Sequence, residues 1–343
     1  MFGFRKSTRH SHQESDHSHD SGHAHSHGAI DPALLDTRRG IWATKWSLAA
    51  LLATALFQLV IVLISGSVAL LADTIHNFGD AGTAIPLWVA FVVGGRKATR
   101  RFTYGYGRIE ELAGLFIVLV ILGSAILAAY ESVVRILDPP TVQYIWIVAA
   151  ASVVGFLGNE AVALFRIKVG REIGSAALVA DGYHARTDGL TSLAVLLGAI
   201  GVWLGFPLAD PIVGLLISLA ILRIVWQSGK SVFTRLLDGV DPEVVDEVRQ
   251  VAVETPGVQA VSQVRVRWLG HRLWAEVNAA VASDLTVQQG HEVAQEVHHR
   301  LLHQLRYLSN ATIHVDPVTH SGEEYHAHNT MAHSHDDASP HQH

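Results

Sequence analysis

No cysteine occurs in the 343 residues, and methionine occurs only twice. The missing thiols exclude disulfide bridges and thiolate metal sites, and they leave the redox compartment open. Charge is scarce too. Asp, Glu, Lys and Arg make up 16 % of the chain, where soluble domains run near about 25 %. With 49 % hydrophobic residues and a mean hydropathy of +0.28, a membrane protein is the first expectation. The formal charge of -6 counts the 22 histidines as neutral and gives no reason to expect a nucleic-acid partner. The first thirty positions are polar and His-rich, unlike a cleavable signal peptide.

What is present is placed unevenly. Residues 1–28 hold seven histidines among Ser, Asp, Gly and Arg, and residues 319–343 hold seven more. Neither stretch can bury enough apolar surface to fold alone, so both read as disordered tails. Between them lie six apolar runs, near 44–64, 69–94, 110–136, 142–165, 173–203 and 208–228. Each is long enough for a bilayer crossing of about 20 helical residues. "SGS" at 65–67, "DPPT" at 138–141 and "LGFPLAD" at 204–210 break the runs. These three connections lack Lys and Arg, whereas "GGRKATRRFTYGYGR" (94–108) carries five and "RIKVGR" (166–171) carries three. By the positive-inside rule both termini and the two basic loops face the cytoplasm.

From about Asp238 the composition turns soluble. Residues 241–257 have a helical period, 258–269 and 272–281 alternate like a half-buried hairpin, 287–305 are helical again, and 309–317 form a last strand. The expected fold is therefore an α-helical membrane protein, a six-transmembrane-helix bundle followed by a small α/β domain of order α-β-β-α-β. The expected domains are a His-rich tail (1–40), the bundle (41–237), a cytoplasmic α/β domain (238–318) and a second tail (319–343).

Within this apolar background, "LLADTIHNFGDAGT" (70–83) is out of place. His76 and Asp80 are four apart on the second helix, so they share a face, and "ADGYHARTDGLTS" (180–192) puts His184 and Asp188 at the same spacing on the fifth. An ionisable group at the bilayer centre costs at least about 2.5–3.5 kcal/mol. Two such pairs are tolerable when they face each other across the bundle interior around something that compensates. Two imidazole nitrogens and two carboxylate oxygens suit tetrahedral Zn²⁺. They disfavour Mg²⁺ and Ca²⁺, which take oxygen ligands, and Cu(I), which takes sulfur. The plainer alternative is a polar seam of helix-stabilising hydrogen bonds. Two identical pairs on separate spanning helices weigh against it.

"SVALLADTIHNFGDAGT" and "GSAALVADGYHARTDGLTSLAV" resemble the second and fifth transmembrane helices of the cation diffusion facilitator family, proton-coupled exporters of divalent metal. The resemblance runs from roughly 40 to 318. It implies an intramembrane metal site at His76, Asp80, His184 and Asp188, of a version similar to the zinc-preferring type. It further implies a homodimer, multi-pass in a bacterial inner or plasma membrane, with metal binding and dimerisation in the 238–318 domain, and with Zn²⁺ as transported substrate and as a regulatory ligand.

Other polar residues have two readings each. Asp73 and Asp181, three before each pair, either support the ligands or line the path, or else belong to the packed interior. Asn159 bridges helices or lines the path, and Glu160 relays protons or pairs with a base such as Arg166. Gln58 and Glu131 read as structural or interfacial. Relatives often carry another metal site in the basic loop, but residues 101–111 hold no histidine here. Arg108 matches a position that can latch onto an acid at the end of the sixth helix, here Asp238; its alternative role is to set topology. His291, His314 and Asp316 match metal-holding positions of the family's C-terminal domain. A usual histidine is replaced by Asn278, with Glu276 nearby, so that site looks incomplete. His271, His298, His299 and His303 read as solvated. The His-rich tails read as a zinc-gathering antenna.

The function expected is alternating-access exchange of protons for divalent metal, most simply Zn²⁺. Export of Co²⁺, Ni²⁺ or Cd²⁺ by the same mechanism is the near alternative. A membrane-embedded metalloenzyme is the distant one, and it lacks an HExxH motif and an open ligand position. A metal sensor would not need a site inside the membrane.

Overall fold

The computed structural model describes residues 32–65, 82, 84–137, 145–206 and 208–318. Residues 1–31 and 319–343, and the segment carrying Asp73, His76 and Asp80, lie outside the described residues. The helices are α1 (Pro32–Ser65), α2 (Ala84–Gly94), α3 (Ile109–Leu137), α4 (Ile145–Ile173), α5 (Ala176–Trp203) and α6 (Ala209–Leu236). Among the described residues, α1 and α3 to α6 are long and apolar enough to cross a bilayer. The expected second span is described only over its last part, as α2.

Two boundaries differ from expectation. Residues 32–40, assigned to the tail, are the first turns of α1, and proline suits a first helical turn. Gly40 belongs to this added stretch, and a Cβ there would lie 2.7 Å from the Phe91 ring of α2, so glycine permits the close crossing. The basic segment 166–171 is not a loop but the continuation of α4. The link to α5 is only Gly174, at φ +73°, and Ser175, whose hydroxyl accepts from the Leu178 N–H as an N-cap. Arg166 is buried in the bundle, so only Lys168 and Arg171 of that segment count toward surface charge.

After α6 come α7 (Pro242–Val253), β1 (Ala260–Leu269), β2 (Arg272–Val281), α8 (Val287–Gln304) and β3 (Leu308–Pro317). The three-stranded sheet has order β1-β2-β3, with β2 antiparallel to β1 and parallel to β3. Leu273, Ala275 and Val277 alternate onto the face covered by the helices, where they pack against Val248, Val251, Val297 and Leu301. Each fully buried Val or Leu contributes about 1.5–3 kcal/mol. Asp241 caps α7 ahead of Pro242, and Thr286 with Gln289 forms a capping box for α8.

This α/β domain docks on the bundle through its β1–β2 turn. The Gly270 N–H donates to Glu111 Oε1 at 2.7 Å, and His271 Nδ1 meets Glu110 Oε2 at 2.8 Å and its Nε2 meets Thr37 Oγ1 at 3.1 Å. His271, expected in solvent, is 7 % exposed because the turn wedges between α1 and α3. The Arg235 guanidinium stacks 3.9 Å from the Trp268 ring, and Tyr307 Oη donates to the Arg171 carbonyl. A Cβ on Gly107 would stand 2.7 Å from the Leu269 carbonyl oxygen. Gly107→Val is therefore expected to loosen the docking, and limited proteolysis should then cut the 238–241 link faster than in the parent chain.

Candidate metal centre

The N-cap at Ser175 sets where α5 begins, and small residues set how close it comes to α4. A Cβ on Gly182 would lie 2.7 Å from Ile167 Cγ1, and one on Gly189 would touch Asn159 at 3.4 Å. Pressed against α4 in this way, α5 carries His184 and Asp188 into the interior, with side chains 1 % and 7 % exposed and Nδ1 3.8 Å from Oδ1. Imidazole and carboxylate thus lie side by side in a dry setting, the donor types zinc takes. The matching pair, His76 and Asp80, falls outside the described residues, as does Asp73.

Asp181 occupies a different environment. It pairs with Arg166 of α4 at 3.0 Å, both side chains at most 1 % exposed, and Arg166 Nε also donates to Ser47 Oγ of α1 at 2.8 Å. One guanidinium therefore ties α1, α4 and α5 together. Glu160, for which Arg166 was the expected partner, instead accepts two hydrogen bonds from Arg186 of α5, at 2.6 and 3.1 Å. The reason is rotational. Arg166 is six residues along from Glu160, on another side of α4, and faces Asp181. Asn159 is buried beside the Gly189 backbone.

Arg108 and Asp238 are in contact, and Arg108 also donates to the Leu236 carbonyl at 2.8 Å and the Arg235 carbonyl at 3.3 Å. Asp238 takes the left-handed conformation, φ +61°, where the chain leaves α6. In the α/β domain, His314 Nε2 and Asp316 Oδ1 are 3.0 Å apart on the open face of the sheet, with Asn278 directly across from His314. Two other candidates stand elsewhere: Glu276 pairs with Arg267, and His291 with Gln295 on α8. Among the described residues no three His, Asp or Glu side chains are grouped to hold a metal. The junction carboxylates Glu110 and Glu111 were not singled out from sequence. Acids in the first turn of a helix usually mark nothing more than an exposed N-terminus.

Apolar spanning helices around a buried imidazole–carboxylate pair, joined to a small α/β domain, define a multi-pass membrane protein with ionisable groups in its core. Residues 44–237 match the cation efflux transmembrane domain and residues 240–318 match the cation efflux protein, cytoplasmic domain. The chain belongs to this cation efflux, or cation diffusion facilitator, family. A probable cation efflux system protein of Mycobacterium tuberculosis is 56 % identical over 86 % of this chain and 90 % of its own length. Magnetosome protein MamB of Paramagnetospirillum magneticum is 28 % identical over 80 % of this chain and 93 % of its own. Manganese efflux system protein MneP of Bacillus subtilis is 26 % identical over 74 % and 88 %. The family places this chain among transporters that export divalent metal cations across a membrane, not among enzymes.

Proposed function

We propose that the chain exports Zn²⁺ from the cytoplasm in exchange for protons, loading the ion on His76, Asp80, His184 and Asp188. The observation that carries this reading is the burial of His184 beside Asp188 in the middle of a spanning helix. A metal ligand must be a neutral imidazole or an ionised carboxylate, so protons and zinc compete for the same atoms. Histidine is suited to that competition because its ordinary pKa of about 6.5 is near ambient pH. Alternating access uses the competition. The ion loads from the cytoplasm, the bundle rearranges, protons arriving from outside displace it, and their release inside resets the carrier.

The same reading puts both termini and the α/β domain in the cytoplasm of a bacterial cell, with the protein a homodimer in the inner or plasma membrane. His314 and Asp316 are the pair from which a regulatory metal site in that domain would be built, while Glu276 and His291 are engaged elsewhere. Arg108 with Asp238 acts as a latch between the start of α3 and the end of α6. Asp73, Asp181 and Asn159 support the centre or its path. A manganese cargo is a second reading, favoured by the relative named for manganese efflux; the imidazole donors favour zinc instead.

Purified protein in proteoliposomes, offered Zn²⁺, Cd²⁺, Co²⁺, Ni²⁺ and Mn²⁺ with and without a pH gradient, tests cargo and coupling together. The expected result is fastest flux for zinc, accelerated when the release side is made more acidic. Fastest flux for manganese would overturn the cargo, and flux indifferent to the gradient would overturn the exchange.

A further inference from the structure

His184 and Asp188 do not stand alone on their face of α5. Thr191 is three residues beyond Asp188 and seven beyond His184, and Val195 is seven beyond Asp188, so all four share one stripe. Thr191 and Val195 open into a cleft of about 80 Å³ between α3, α5 and α6. It lies toward the ends of α3 and α6 that are far from the α/β domain, since α6 enters that domain only after Leu236. Its polar lining comes from Glu131, Ser132, Arg135, Thr191, Asp210 and Ser218.

The chemistry of that lining is directional. Ser132, Thr191 and Ser218 each donate their hydroxyl hydrogen to the carbonyl four residues back, at 2.7, 3.1 and 2.8 Å. Only their oxygen lone pairs are left to face the cleft, as acceptors. At the outer end Arg135 bonds Asp210 at 3.0 Å and stands 3.8 Å from Glu131. Two carboxylates against one guanidinium leave one net negative charge. A side chain on Gly214 would collide with the Ser132 hydroxyl, so α6 can approach α3 here only as glycine. Polar groups at membrane depth are costly unless they face protein or water. An acceptor-lined, net negative cleft suits a hydrated cation.

We infer that this cleft is the outward limb of the transport route, a wet vestibule by which the divalent cation leaves His184 and Asp188. Arg135 is its gate: paired with Asp210 it spans the mouth from α3 to α6, and a shift toward Glu131 opens the way. The inference rests on the export reading above and adds the helices between which the ion passes.

The absence of cysteine makes the test direct. Thr191→Cys and Ser218→Cys are made singly, with Leu197→Cys, on the exposed apolar side of α5, as reference. Each is exposed to a charged, membrane-impermeant methanethiosulfonate from the side opposite the α/β domain, and zinc flux is measured before and after. Apolar surroundings hold a thiol protonated, each pKa unit removing about tenfold of the reactive thiolate. Both cleft cysteines are therefore expected to label at least about tenfold faster than the reference, with labelling blocking flux and added Zn²⁺ slowing it. If both label no faster than Leu197→Cys in protein that still moves zinc, the route lies elsewhere and the export reading stands. Fast labelling in protein that moves none of the five metals overturns the export reading and the route with it.

Discussion

Asp188→Ala is expected to abolish zinc uptake into inside-out vesicles driven by a proton gradient. Loss of a contact that merely supports a metal ligand already costs about 10–100-fold, so loss of a ligand should cost at least about 100-fold in initial rate. The carboxylate is the anionic member of a pair buried in the bundle core, with Asp188 Oδ1 3.8 Å from His184 Nδ1. Without it, the dication would have to be desolvated against fewer charges. Asp188→Asn keeps the shape and removes the charge, so it separates ligation from packing. It is expected to fold and reach the membrane like the parent while transporting as poorly as the alanine variant. Undiminished zinc uptake by Asp188→Ala would end the proposed mechanism.

The second large effect concerns stability. Asp181→Leu strands Arg166 in a dry interior beside α1, α4 and α5, and breaking a buried ion pair from one side costs about 3–5 kcal/mol. A clear fall in Tm of the detergent-solubilised protein is expected. Replacing both partners, Arg166→Met with Asp181→Leu, should recover most of it, because two apolar residues leave no unpaired charge. The double variant also separates the two readings of Asp181. Restored stability with restored zinc flux makes the ion pair a scaffold. Restored stability without flux makes Asp181 part of the path.

Five spanning helices were legible because a bilayer demands long apolar runs, and the break between α5 and α6 was legible because the Gly and Pro of 204–210 cannot continue a helix. Their ends were less so. Arg166, Lys168 and Arg171 look like a cytoplasmic loop in sequence, yet α4 runs through all of them, since a helix has no reason to stop at the membrane surface if a terminating glycine such as Gly174, at φ +73°, waits beyond it. The α-β-β-α-β order of the C-terminal domain followed from its alternating and helical periods. That β3 lies parallel beside β2, setting His314 opposite Asn278, is a matter of chain crossing that periodicity does not encode.

At the candidate centre the HxxxD spacing was enough to place His184 and Asp188 on one face, because helix geometry makes that a local property. The partners of the other polar groups were not local. Glu160 chose Arg186, Arg166 chose Asp181, and His271 left solvent for Glu110 and Thr37, each choice depending on how one helix is rotated against the next.

The amino-acid order alone determined that this chain spans a membrane and which two residues of α5 stand together, since hydropathy and the helical repeat act over a few turns of one segment. Only the tertiary structure decided which buried charges neutralise one another and where the α/β domain meets the bundle. Those outcomes depend on side chains that are more than a hundred residues apart in places, brought within hydrogen-bonding distance by packing.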